Sequence, residues 1–179
     1  MEPDRLVREA GEGRIRLCRA DITTLTVDAV VNAANASLAG GGGVDGAVHR
    51  AAGPDLMREL NERYQGCPTG SAVITGAGRL KARHVIHAVG PRWRDGTHHE
   101  PELLESAYRS AFMLASEHSC ATVAAPSIST GIYGFPTALA APIAIGTAAA
   151  ALEIQGTSLR EIAFALFSDA DLEVFARFL

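Results

Sequence analysis

Apolar and polar positions along the chain switch between a period of two and a helical period, and the switches mark out its elements. Arg14 to Ala20 reads as an edge-like strand, with Ile15 and Leu17 facing one way and Arg14 and Arg16 the other. Val27 to Val31 is apolar apart from Asp28, which suits a strand buried on both faces. Val44 to Ala52 comes next as a short helix. Pro54 opens another, because proline is tolerated at the first helical position and Leu56, Met57, Leu60 and Tyr64 fall at helical spacing. Ser71 to Thr75 and His84 to Val89 are strands separated by the turn residues Gly76, Ala77 and Gly78. Glu102 to His118 has helical periodicity through Leu103, Leu104, Ala107, Ala111, Leu114 and Ala115. Thr122 to Ile128 returns to strand, and Pro136 starts what reads as the longest helix, rich in alanine through Leu152. Glu161 to Phe167 is a last buried strand and Ala170 to Leu179 a closing helix. Residues 1–12 read as a polar lead-in, and Pro91 to Pro101 as a loose surface loop.

Strands that alternate with helices predict an α/β class, with a three-layer α/β/α architecture around a mixed, largely parallel central sheet. At 179 residues a single domain over 1–179 is expected, long enough to bury a sizeable core. In such sheets ligands sit beyond the carboxyl ends of strands, where loops run into helix N-termini. Two loops fit that place, one around Gly40 to Gly43 and one around Gly131 to Gly134.

Charge narrows the partners. The net charge of −4 and the lack of a long basic run argue against sequence-independent binding to a nucleic-acid backbone. An acidic protein that holds an anion must do so locally, through backbone amides and helix ends. Cys18, Cys67 and Cys120 are odd in number and form no paired motif, so reduced thiols and a cytoplasmic location are expected. No apolar stretch reads as a signal peptide or a membrane span.

The chemistry concentrates between Val31 and His49. An apolar strand breaks into Asn32 and Asn35, then four consecutive glycines from Gly40 to Gly43, then a helix that begins with an acid. Glycines let amide N–H groups approach a ligand that side chains would block, and the helix after them adds the positive end of its dipole. The asparagines supply neutral donors and acceptors, and Asp45 and His49, one helical turn apart, can face one site and act on a proton. A Gly-x-Gly-x-x-Gly pattern can be laid over Gly41, Gly43 and Gly46, but the match is cheap in so glycine-rich a run. The Lys-Ser/Thr of a Walker loop is missing, and the glycines follow the second predicted strand, without the acid that a dinucleotide fold wants. At a helix N-terminus the Asp45 carboxylate is favoured in its charged form, which makes it a weak general base at neutral pH. It suits orienting a water, unless it is a plain N-cap. His49, His84, His87, His98, His99 and His118 combine with no cysteine or acid at a convincing ligand spacing, so no metal is expected. His84 and His87, three apart on one strand, point to opposite faces.

The run from Val30 through Gly53 resembles macrodomains of the MacroD type, and the segment Ser127 to Pro136 resembles that family's phosphate-binding loop. The likeness extends from Ile15 to the C-terminus and adds Asp21-Ile22 and an aromatic at the end of the last strand. The resemblance implies that Asp21 accepts from the adenine amine with Ile22 beside it, and that Phe167, or alternatively Phe164, stacks on the adenine. It implies that Ser129, Thr130, Gly131, Ile132 and Gly134 wrap a diphosphate, with Tyr133 lying across the distal ribose. Gly42, Gly43 and Val44 would approach the ribose and α-phosphate from the other side, Asn35 would bond the ribose hydroxyls, and Asn32 would support the loop. Asp21 alone also reads as a turn or cap residue, and His49 as a packing residue. The implied activity is hydrolysis of esters at the distal ribose of ADP-ribose, both O-acetyl-ADP-ribose and mono-ADP-ribose on Asp or Glu of proteins. Asp45, Asn35, Tyr133 and His49 would carry it, without metal or cofactor, with the proton taken by Asp45 or by the substrate's α-phosphate. The alternative is a non-catalytic ADP-ribose reader. Expected partners are ADP-ribose, its O-acyl esters and modified proteins, with nucleic acid only if ADP-ribosylated, no membrane, and a monomeric state.

Overall fold

The computed structural model describes residues 6–179 and builds one seven-stranded mixed sheet flanked by five helices. The strands are β1 (Val7–Ala10), β2 (Gly13–Arg19), β3 (Ala29–Ala34), β4 (Ala72–Gly76), β5 (His84–Val89), β6 (Thr122–Ala125) and β7 (Glu161–Leu166). The helices are α1 (Gly43–Ala52), α2 (Pro54–Arg63), α3 (Glu100–Glu117), α4 (Thr137–Glu153) and α5 (Asp169–Ala176). The strand order is β1-β2-β7-β6-β3-β5-β4, parallel throughout except for the two outer pairs, β1–β2 and β5–β4.

The continuous apolar runs feed both faces of the sheet. Val31, Ile86 and Ile162 pack with Leu104, Tyr108, Ala144 and Phe175 of α3, α4 and α5. Val30 and Val85 point the other way, against Val48 and Leu56 of α1 and α2. Along β3 and β5 the second face turns polar after those valines, at Asn32 and His87, which are paired in register and fully buried. Polar side chains in the middle of buried strands need partners, and α1 brings them.

Several sequence expectations change in detail. The strand expected at Arg14 to Ala20 is not an edge, because β1 pairs antiparallel along its outer side. Of the lead-in over residues 1–12, residues 1–5 lie outside the described residues. The strand within the rest has only four residues, two of them exposed and charged, too few for a periodic signal. The first glycine loop therefore comes after the third strand rather than the second. The longest helix is α3, with 18 residues, against 17 for α4. β6 stops at Ala125 because Pro126 has no N–H to extend a ladder.

The segment after β6 is fixed from below. Buried Tyr108 of α3 donates its hydroxyl to Pro126 O at 2.8 Å and accepts from Ile128 N at 2.8 Å. Burial pushes that phenol above its ordinary pKa, so it stays neutral and keeps its proton for Pro126. Tyr108→Phe is expected to cost about 1–3 kcal/mol by orphaning both groups. Chemical denaturation measures the loss, and hydrogen exchange should show faster opening of 126–130 than of β6 itself.

Candidate functional site

A cavity of about 280 Å³ opens at the carboxyl ends of β3, β5 and β6. It brings together Asn35, Gly42, Gly43, Val44 and Asp45 from the first loop and α1, and Ser129, Gly131, Ile132 and Tyr133 from the second loop. Gly90 and Arg92, just beyond β5, complete the wall. Ile132 is 83% exposed and spans the opening, since a Cβ on Gly42 would lie 3.8 Å from its Cδ1. A larger cleft of about 570 Å³ between α3 and α4 is walled mainly by apolar groups such as Phe112, Met113, Pro142 and Ile143.

The second loop presents its amides inward. Two bonds close it, Phe135 N to Ser129 O at 2.9 Å and Gly134 N to Gly131 O at 3.0 Å. Among the described residues, the amides of Thr130, Gly131, Ile132 and Tyr133 donate to no protein acceptor. Ser129 adopts a left-handed backbone (φ 68°), and its buried Oγ has no partner. The Thr130 hydroxyl turns back to Ser127. Gly90 allows the close approach of this loop, because a Cβ there would collide with Ser129 and Ile128. On the opposite wall α1 has Gly42 as its N-cap, with no side-chain cap bond, so its first amides face the cavity unpaired. Uncapped amides on both walls suit an anion.

Asp45 is not the cap of α1. Its Oδ1 accepts from Asn32 Nδ2 at 2.8 Å and lies 3.3 Å from His49 Nε2, while Oδ2 lies beside Gly41 on the cavity side. Burial pushes its pKa up, yet the hydrogen bonds from His49 and Asn32, with the His49 charge, outweigh that and hold the carboxyl below its ordinary value. Asn32, expected to support the loop, thus holds the acid. Asn35 lines the cavity with its amide engaged in its own loop: Nδ2 donates to Gly40 O, and Oδ1 accepts from Ser37 Oγ and Ala39 N.

The remaining expected residues lie outside this cavity. Asp21 caps a single 3-10 turn, Ile22–Thr24, where its Oδ1 accepts from the amide and hydroxyl of Thr23, and Ile22 is buried. Ala20 N bonds Leu166 O, which sets Asp21 next to the end of β7, where Phe167 is 86% exposed. Phe164 is fully buried against Tyr108 and Phe175, so Phe167 is the aromatic of this pair with a free face.

The loop after β5 is not loose. Glu100, expected to lie before the helix but in fact its first residue, is 1% exposed and accepts from the amides of Arg94, Asp95, Gly96 and His98. Burial opposes its charge, but those amides bring its pKa down to about 2. The loop in turn braces Tyr133: Trp93 N donates to Tyr133 O at 2.8 Å, and the Arg92 guanidinium sits 4.6 Å from the tyrosine ring centre. Glu100, Asp95 and His98 bring one ligand atom each within 4.8 Å of one another, but both Glu100 oxygens are already engaged by amides. Arg92, Gly90, His87 and Thr75 were not singled out for the site from sequence. The available signal was polar residues, Asn32, Thr75 and His87, interrupting apolar strands on one face.

The Macro domain model matches residues 31–144, which takes in both glycine loops. The chain belongs to the macrodomain family. A macro domain-containing protein of Caldanaerobacter subterraneus is 54% identical over 167 residues, 92% of this chain and 94% of that one. An O-acetyl-ADP-ribose deacetylase of Escherichia fergusonii is 58% identical over 139 residues, 76% of this chain and 78% of that one. The Oceanobacillus iheyensis macrodomain, solved with ADP, superposes with a TM-score of 0.88 at 37% identity, covering 96% of this chain and 93% of that one.

His87 is fully buried, and burial with repulsion from His49 lowers its pKa to about 4 from 6.5, against a smaller upward pull from Asp45 and Glu59. The unfolded chain therefore binds more protons than the folded one between those values, and stability is lost as pH falls from 6.5 towards 4. The depressed Asp45 carboxyl adds a further loss at still lower pH, below its ordinary value of 3.8. Melting temperatures across that range should drop for the wild type, by the equivalent of about 1–3 kcal/mol, and the slope between pH 6.5 and 4 should flatten in His87→Gln.

Proposed function

We propose that this chain binds ADP-ribose along the carboxyl ends of the sheet and hydrolyses esters of its distal ribose. The observation that carries the reading is the state of Asp45: a buried, ionised carboxylate with one oxygen held by Asn32 and His49 and the other beside the cavity. Strand order supplies the length. From β2 to β3 there are three strand spacings, about 14 Å, an interval for the proximal ribose and diphosphate together to span between adenine and distal ribose. The adenine lies on the exposed face of Phe167, with Asp21 Oδ2 accepting from its amine and Ile22 alongside. The amides of Ser129 to Gly134 and the N-terminus of α1 hold the diphosphate, with Gly42, Gly43 and Val44 against the α-phosphate and ribose. Tyr133 covers that ribose, braced by Arg92, and Asn35 reaches its hydroxyls.

In the reaction a water beside Asp45 adds to the ester carbonyl carbon. Its proton passes to Asp45 Oδ2 or to the α-phosphate as the tetrahedral centre forms. The bond from that carbon to the ribose oxygen then breaks, the ribose oxygen recovers the proton, and a carboxylic acid leaves with free ADP-ribose. A low-pKa carboxylate is a modest base, so its contribution is to hold the water and receive charge. The substrates are O-acetyl-ADP-ribose and mono-ADP-ribose esterified to Asp or Glu of proteins. The deacetylase name of the Escherichia fergusonii relative supports the first of these.

Release of ADP-ribose from O-acetyl-ADP-ribose and from a Glu-linked ADP-ribosylated protein is the direct test, and turnover should be unchanged by chelator. Asp45→Ala should keep ADP-ribose affinity within a few-fold and lower kcat by about a hundredfold or more. Full turnover in that variant would remove Asp45 from the mechanism, and binding without turnover in the wild type would make the chain a reader. Gly43 holds a positive φ of 58° and faces open space. Gly43→Glu would place a strained, charged side chain against the α-phosphate, so calorimetry should detect no ADP-ribose binding. Retained affinity there would move the ligand elsewhere.

A further inference from the structure

Behind Asp45 a chain of buried polar groups runs away from the cavity towards the outer strands. Asn32 Nδ2 lies 2.8 Å from Asp45 Oδ1 and 3.3 Å from His87 Nδ1, and His87 Nε2 lies 3.0 Å from Thr75 Oγ1. Thr75 donates its single hydroxyl proton to Gly76 O at 2.9 Å. Towards His87 it is therefore an acceptor, so the ring carries its proton on Nε2. In a neutral ring that leaves Nδ1 as an acceptor, and it takes one N–H of Asn32. The other N–H of Asn32 goes to Asp45.

Asn32 Oδ1 is buried without a partner. An amide usually avoids this, since an unsatisfied acceptor costs about 1–3 kcal/mol. Turning the amide over would satisfy nothing. It would set Oδ1 against both the Asp45 carboxylate and the lone pair of His87 Nδ1. The orientation stands only while His87 keeps the tautomer that Thr75 dictates.

We propose that Thr75 and His87 are positioning residues for the hydrolysis, a relay that locks the Asn32 amide so that it donates to Asp45. The proposal rests on the hydrolase reading above. Neither residue lines the cavity. With Oδ1 saturated by Asn32 and His49, Oδ2 is left as the proton acceptor that faces the ligand. Should the relay slip, Asn32 can rotate, and Asp45 loses a donor, its fixed plane and part of its preference for charge. The ring of His87 sits among titratable neighbours, with Asp45 and His49 on α1 and Glu59 on α2. Glu59 is itself bonded by the Gly76 amide and by Arg63. The lowered pKa of His87 keeps its ring neutral at working pH, as the relay requires.

The test pairs a spectroscopic readout with kinetics. Nitrogen-15 NMR of the wild type at neutral pH should show His87 protonated on Nε2 alone. Thr75→Val, which keeps the shape and removes the hydroxyl, should give mixed His87 tautomers. Its kcat on O-acetyl-ADP-ribose should fall by about tenfold, with KM and ADP-ribose affinity within about twofold. The acid limb of its pH profile should move upward as Asp45 loses a donor. Thr75→Ser restores the hydroxyl and should recover the wild-type tautomer and kcat. A wild-type ring protonated on Nδ1 or on both nitrogens, or undiminished kcat in a folded Thr75→Val, would overturn the relay. If Thr75→Val does not fold, the wild-type tautomer and Thr75→Ala, which also lacks the hydroxyl, still decide. If the wild type cleaves no ester, the hydrolase reading fails, while the tautomer still reports on the relay.

Discussion

A charged carboxylate placed among packed strands and helices is the constraint around which this site is organised. Burial pushes the Asp45 pKa up, and the donors aimed at it, with the nearby histidines, outweigh that and favour the charged form. Those donors come from two elements, Asn32 on β3 and His49 one turn along α1, so the spacing of β3 and α1 is tied to the charge. Breaking a buried charge–donor pair leaves an uncompensated group, a larger penalty than the pair's own net stabilisation. The polar face of β3 and β5 is thus a support for one anionic side chain, and the apolar residues before it, Val30 and Val85, close it off from below.

The second loop obeys a different rule. Its shape comes from backbone: a left-handed serine, a glycine where β5 ends, and the Tyr108 hydroxyl beneath. The segment after β5 adds a second brace through Trp93, which packs on Phe135 with ring centres 4.7 Å apart. Glu100 anchors that segment by collecting four amides. Two loops distant in sequence are therefore one mechanical unit, joined at Tyr133 from one side and at Gly90 from the other.

Most of the sheet was legible because buried parallel strands are apolar on both faces, and the helices because of their periodicity and of starts marked by a glycine run, Pro54 or Pro136. β1 was not, since Val7–Ala10 gives two apolar residues and no period. Pro91 to Pro101 read as loose because composition records polarity and cannot record that Glu100 folds back to hold amides four to six residues before it. In the site, the glycine loops and Asp45 were legible from residue type and spacing. Asn32 was read as support for a loop, whereas its partner is an acid 13 residues on, a contact made by tertiary packing. The choice between Phe164 and Phe167 turns on where β7 ends, at Leu166, which a single apolar run leaves undetermined.

A binding wall made of peptide amides has kinetic consequences. Amides do not titrate, and they cast a short-ranged field, whereas a cluster of lysines and arginines would act over a Debye length. Of the residues lining the cavity only Arg92 is cationic, and its guanidinium lies on the Tyr133 ring while the whole chain is acidic. An anionic ligand is accordingly not drawn in from a distance. Selectivity for such a ligand then rests on the fit of its oxygens to the amides rather than on long-range attraction.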